Sequence, residues 1–131
     1  MWLAKRIADF VEQQYLSEEG DVRDNVERLF SEDLAYHVDA ETLGRDDLVA
    51  MGHAVRSTDR ESRKFSLSDW EERGLTVRWH LSARLSGMGP DGGELQQESD
   101  LRAVFGTDGL VREVWSDDAE RAWVTCADLP R

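Results

Sequence analysis

The apolar positions of this chain change their period once, near residue 64, and the change separates a helical first half from a stranded second half. Leu3, Ile7, Phe10 and Val11, with Gln14 at the same spacing, lie on one face and predict a first helix from about Trp2 to Leu16. Gly20 ends that unit. Asp21 offers a short side-chain acceptor to the free amides of a second helix, whose stripe is Val22, Val26, Leu29 and Phe30. A short strand from Leu34 to Val38 follows. Gly44 then precedes a third helix, with Asp46 and Asp47 at its positive end and Leu48, Met51 and Val55 on its buried face.

From Lys64 onward the period is two. Phe65 and Leu67 alternate with polar residues, and Leu75 to Leu85 alternates through Val77, Trp79, Leu81 and Ala83. The Gly-rich loop 87–93 leads into a strand from Glu94 to Phe105 that carries Leu101, Ala103 and Phe105 on one side. Gly106-Thr107-Asp108-Gly109 reads as a hairpin tip before a last strand from Leu110 to Asp117. The tail beyond it holds Trp123 and Val124, suited to covering an open sheet edge. The order α-α-β-α-β-β-β-β predicts one α+β domain over 1–131: a curved antiparallel sheet with helices packed in its concave face, enclosing a pocket.

Composition narrows the partners more than it identifies them. A length of 131 residues suits one domain, and 40% hydrophobic residues suffice for a core. The net charge of −12 disfavours nucleic acid and anionic membrane surfaces. Cys126 stands alone, so neither an internal disulfide nor a cysteine metal pair is expected. No run of 18 apolar residues occurs, and the N-terminal residues enter an amphipathic pattern rather than a leader, which makes a cytoplasmic protein the expectation. His37, His53 and His80 share no ligand spacing, and there is no phosphate cradle, nucleophile elbow or dinucleotide fingerprint. Neither metal nor cofactor is expected. The mixed-charge run Arg56 to Lys64 reads as a solvated connector.

Four segments occur in a telling order: Leu29-Phe30-Ser31-Glu32-Asp33-Leu34-Ala35-Tyr36-His37, Gly44-Arg45-Asp46-Asp47-Leu48, Val77-Arg78-Trp79, and Asp108-Gly109-Leu110-Val111-Arg112-Glu113-Val114-Trp115. As a set, from about Arg6 to Asp118, they resemble the SnoaL-like polyketide cyclase families of the nuclear transport factor 2-like superfamily, which includes ketosteroid isomerase and limonene epoxide hydrolase. The resemblance implies a cone-shaped α+β barrel, a homodimer formed through the sheet, and a small hydrophobic ligand. It leaves the chemistry open, because relatives on this scaffold isomerise, cyclise, hydrolyse or only bind.

Such reactions need a carboxylate or imidazole in an apolar cavity and a donor for developing oxyanion charge. Asp117 is near the place where SnoaL-like cyclases keep an aspartate, and strict alternation gives it one face with Val111, Glu113 and Trp115; an Asp117-Asp118 pair equally suits a strand end. His80 has two readings. Resemblance to an Arg-x-Asp strand of the epoxide hydrolase turns Arg78 and His80 toward the pocket, whereas alternation buries Val77, Trp79 and Leu81 and turns both outward. Tyr36, in phase with Leu34 and Val38, matches a tyrosine of the hydrolase and would donate to an oxyanion, or serve as a core aromatic. Trp115, Arg78, Phe30, Phe65 and Gln97 complete the residues expected to touch a substrate. Val38 and Leu101 stand where ketosteroid isomerase has aspartates, which argues against steroid isomerase chemistry. His37, Asp39 and His53 are out of phase with the buried positions and are expected in solvent. Two functions follow from this set. One is a cofactor-independent enzyme moving protons on a polyketide-like or other hydrophobic molecule, with Asp117 or His80 as base and Tyr36 as donor. The other is a non-catalytic ligand-binding or dimerisation module of the same fold.

Overall fold

A computed structural model describes the backbone of residues 2–88 and 92–120 and the side chains as far as Asp117. Trp123, Val124 and Cys126, and with them the expectation that the tail covers a sheet edge, lie outside the described residues. Helix α1 (Trp2–Val11) buries Leu3, Ala4, Ile7 and Phe10, the face its spacing predicts. It passes directly into a π turn, Glu12–Leu16. Glu72, on a distant strand, accepts a hydrogen bond from the Ala4 amide at 2.9 Å, placing a carboxylate at the helix's positive end.

Helix α2 (Val22–Leu29) starts where expected, with the Asp21 carboxylate accepting from the Asp24 amide at 3.1 Å. Phe30 already has an extended backbone, so β1 spans Phe30–Val38 and starts earlier than the helical stripe suggests. Asp39, at a φ of 52°, turns the chain into a short strand β2 (Glu41–Leu43) that the sequence reading did not contain. Asp is one of the few side chains that tolerate this left-handed region, since it can bond its own backbone. Helix α3 (Arg45–Arg56) is opened by the Asp47 carboxylate, which accepts from the Gly44 amide at 2.9 Å. Four long strands follow among the described residues: β3 (Lys64–Arg73), β4 (Thr76–Ser86), β5 (Glu94–Phe105) and β6 (Val111–Glu120).

The α+β plan is as expected, with a six-stranded sheet in the order β2-β1-β6-β5-β4-β3. All neighbours pair antiparallel except β1 and β6, which run parallel, so the sheet is mixed. At the β5–β6 turn the Gly106 amide donates to the Leu110 carbonyl at 2.8 Å, and Gly109 takes a φ of 81°. Gly106 itself leaves room for Arg112, whose Nε would lie 2.3 Å from an added Cβ.

Two irregularities decide which side chains face the helices. Between the Val104↔Glu113 and Phe105↔Val111 pairs, Arg112 is an extra residue on β6, a bulge. Beyond it the inward set becomes Val114 and Ser116 rather than Glu113, Trp115 and Asp117. On β3 the pairing shifts between Ser68 and Glu71, with Asp69 at a φ of 58°. That bulge carries Trp70 into a stacked contact with Trp79, ring centres 5.7 Å apart.

The core forms two clusters on the helix side of the sheet. One joins α1 and α2 to Val77, Trp79, Leu101, Ala103, Phe105, Val111 and Val114. The other gathers Val55 of α3 with Leu43, Leu85, Met88 and Leu95. Tyr15 and Tyr36 touch both. Each such side chain removed from water contributes about 1.5–3 kcal/mol.

Candidate functional site

Between the two clusters the sheet and helices leave a cavity of about 120 Å³. An engineered apolar cavity of about 150 Å³ holds one benzene, so this space suits roughly one ring. Its wall is overwhelmingly hydrocarbon, from Ile7, Phe10, Leu48, Leu81 and their neighbours. Phe30, Phe65, Gln97 and Tyr36, all singled out from the sequence, line it. Val38 and Leu101 line it as well, so the two positions at which the resemblance places aspartates do face the cavity and are hydrocarbon here.

Strand pairing explains how the polar groups arrive. Tyr36 pairs with Leu43 and Val38 with Glu41, and all four share the cavity side of the β1–β2 hairpin. Glu41 is half-buried and is the one carboxylate among the described lining residues. Ser116 enters from β6, opposite Leu101. Gln97, itself buried, donates through Nε2 to the Ser99 hydroxyl at 2.5 Å. A phenol, an amide, a hydroxyl and one carboxylate thus meet an otherwise apolar space. Such a set can orient a polar substituent of a hydrophobic molecule, and Glu41 can take a proton from it.

Asp117 and His80 occupy the opposite face of the sheet. Asp117 is exposed and pairs with Asp100 in the ladder, the shift in its parity coming from the Arg112 bulge. The next residue, Asp118, pairs through its backbone with Ser99. The Asp100 carboxylate accepts from His80 Nδ1 at 2.9 Å, and His80 Nε2 lies 3.4 Å from a Glu98 carboxylate oxygen. The Asp100 hydrogen bond holds the His80 imidazole above its ordinary pKa, partial burial opposing it. Alternation, with Trp79 and Leu81 inward, is therefore the pattern β4 follows. Arg78 and Trp115 line the same outer groove as Asp117, and the Arg102 guanidinium lies 4.2 Å over the Trp115 ring. Tyr36 does not meet Asp117 or His80.

His37 also faces outward, bonded to Glu113 at 2.8 Å and stacked on Trp115 at 5.5 Å, and His53 is exposed. Glu41 and Ser116 escaped the sequence reading. The signal for Glu41 was the Asp39-Ala40 turn followed by the alternation Glu41-Thr42-Leu43, short enough to pass for loop. For Ser116 no signal is present without the bulge.

No family model matches the chain, and no curated protein matches it. Solved structures do. SalBIII, an epoxide hydrolase/cyclase-like enzyme with a role in pyran ring formation in the polyether salinomycin, aligns with 92% of this chain and 93% of its own at a TM-score of 0.71 and 14% identity. The fold is that of the nuclear transport factor 2-like and SnoaL-like proteins. A SnoaL-like polyketide cyclase from Agrobacterium tumefaciens aligns over 92% of this chain and 93% of its own at a TM-score of 0.67 and 12% identity. A nuclear transport factor 2-like protein of unknown function from Exiguobacterium covers 91% and 99% at 0.65 and 17%. In this nuclear transport factor 2-like fold the cavity lies between sheet and helices, and here Tyr36, Glu41, Gln97 and Ser116 are polar side chains in its wall. Among the described residues no helix is long and apolar enough to cross a membrane.

Proposed function

We propose that this chain binds a small, predominantly apolar molecule of about one ring in the cavity and moves a proton on it. Glu41 acts as the base and Tyr36 as the donor to a carbonyl or epoxide oxygen. The observation that carries the reading is the cavity's composition: a mostly hydrocarbon wall, with a phenol and a single carboxylate contributed by facing strands of one hairpin. Gln97 and Ser116 orient the ligand from the far strands. Asp117 and His80, on the outer face, take no part in this chemistry. The similarity to SalBIII and to the SnoaL-like cyclase supports a cyclase-, isomerase- or hydrolase-like activity without choosing among them.

The test uses cyclohexanone in D2O, followed by proton NMR. Abstraction of a proton beside the carbonyl appears as loss of the 2- and 6-position signals as deuterium enters. The native protein should accelerate that exchange, and Glu41→Gln should lose about a hundredfold of the acceleration. Binding without any accelerated exchange would leave a carrier or sensor of small hydrophobic molecules. That second reading has its own support, since Val38 and Leu101 place hydrocarbon at two of the positions best suited to a catalytic acid.

Two copies pairing through the outer face complete the proposal. That face carries Arg78, Arg102 and His80 beside Asp100, Asp117 and Glu98, a mixed-sign surface able to meet its own copy. Sedimentation at two salt concentrations tests it, because a charge-matched contact weakens as salt rises.

A further inference from the structure

One wall of the cavity is built on the irregular turn that follows α1. Through Glu12–Leu16 the helix widens to a π turn, a form that occurs mostly as single turns and often at functional sites. Its carbonyl groups are held from outside by two arginines. Arg56 donates through Nε to the Gln14 carbonyl at 2.9 Å, and through its terminal nitrogens to those of Gln13 at 3.2 Å and Gly20 at 2.9 Å. Arg63, with no exposed side-chain surface, donates to the Tyr15 carbonyl at 3.0 Å and pairs with Glu18 at 2.7 Å. A run expected to be a solvated connector thus contains a fully buried cation, because the widened turn presents carbonyls that need charged donors.

The third anchor is Gln14, fully buried. Its amide donates to the Val22 carbonyl at 3.1 Å and accepts from Asn25 at 3.0 Å, and Gly52 of α3 leaves the space it fills. Tyr15 is therefore held at its own carbonyl and through the anchored Gln14 that precedes it. Its ring stacks on Phe65 at 5.3 Å, the planes 11° apart, and meets Phe10 edge-on at 5.8 Å. Both Tyr15 and Phe65 line the cavity.

We infer that the Tyr15–Phe65 stack is the specificity-determining wall of the site, limiting its ligand to about one ring. This rests on the reading that the cavity takes a small hydrophobic molecule. A two-ring molecule needs the volume one of these rings occupies. The Arg63 bond at the Tyr15 carbonyl and the Arg56 bonds at Gln13 and Gln14 fix the backbone from which the ring projects, and the ring itself is packed between Phe10 and Phe65.

The experiment compares phenol and 1-naphthol by calorimetric titration against the native chain, Phe65→Leu and Tyr15→Leu, with methyl NMR shifts of Val38 and Leu101 reporting where the probe sits. The native chain should bind phenol in preference. Each variant should move the naphthol-to-phenol affinity ratio toward naphthol by about tenfold or more. Should Tyr15→Leu fail to fold, Phe65→Leu alone decides the matter. If the native chain binds phenol at the cavity methyls and the ratio stays put in the folded variants, the wall assignment falls while the cavity reading stands. If neither probe moves those methyls in any protein, both fall.

Discussion

Gly52→Ala separates this structure from its sequence with particular sharpness, because helix propensity and packing give opposite signs. Gly52 lies inside α3, where exchanging glycine for alanine in an exposed helix would stabilise by about 1 kcal/mol. Here an added Cβ would stand 2.7 Å from the Gln14 Nε2 and 2.7 Å from the Val22 Cγ1. Neither neighbour can retreat easily: Val22 is 3% exposed and Gln14 not at all, and the Gln14 amide is spent on bonds to Val22, Asn25 and Arg56. Overpacking of this kind costs about 1–3 kcal/mol, and loosening a buried hydrogen bond about 1–3 more. Set against the propensity gain, the net is a loss of about 3 kcal/mol, with an outer range of about 1–5. For a domain of this size that lowers the Tm by roughly 9–15 °C. Urea denaturation followed by tryptophan fluorescence gives the free energy directly. A variant as stable as the native chain, or more so, would show that the π turn does not press on α3, and would remove the rigid support argued for Tyr15.

Asp21→Ala removes the acceptor of the Asp24 amide and should cost about 1 kcal/mol, read from the same urea curves; no loss would mean that α2 is not capped there. Arg63→Met keeps much of the apolar bulk of a buried side chain, strips the donors from the part-buried Tyr15 and Thr58 carbonyls and leaves Glu18 without this partner, so a loss of about 3 kcal/mol is expected, and a neutral result would refute the clamp. His80 is held above its ordinary value of 6.5 by the Asp100 hydrogen bond first, so its contribution is fully present below that value and fades as pH rises through the higher folded one. The Tm difference between the native chain and His80→Gln should therefore be largest in mild acid and shrink toward alkaline pH, and NMR titration of the His80 ring should give a midpoint above 6.5. A midpoint below that value would refute the Asp100 pairing.

Periodicity carries information only as long as the backbone keeps its own period, and the residues of this site show where that holds. On β4 no residue is inserted, and Trp79 and Leu81 reach the cavity while Arg78 and His80 face away, as hydrophobic alternation alone requires. On β5, equally regular over its inward positions, Gln97 is placed in the wall by its parity with Leu101 and Ala103. On β6 an extra residue at Arg112 reverses the side chains from Glu113 to Asp117, so parity counted from Val111 places Asp117 inside and Ser116 outside, the reverse of what the ladder dictates. The π turn does to α1 what the bulge does to β6: counted at 3.6 residues per turn, Tyr15 falls beside the buried stripe, and the widened turn brings it against Phe65. Bulge and π turn each insert one residue's worth of phase, and both displacements lead to the cavity. The irregular positions are thus the ones that bring Ser116 and Tyr15 to the cavity wall; at the turn Arg56 and Arg63 donate to carbonyls that the widened helix leaves open, whereas beside the bulge Arg112 makes exposed side-chain pairs with Asp33 and Asp108. The cavity's polar wall therefore has two origins: regular pairing supplies Tyr36, Glu41 and Gln97, whose parity the sequence carries, and the broken periods supply Ser116 and Tyr15, whose parity it does not.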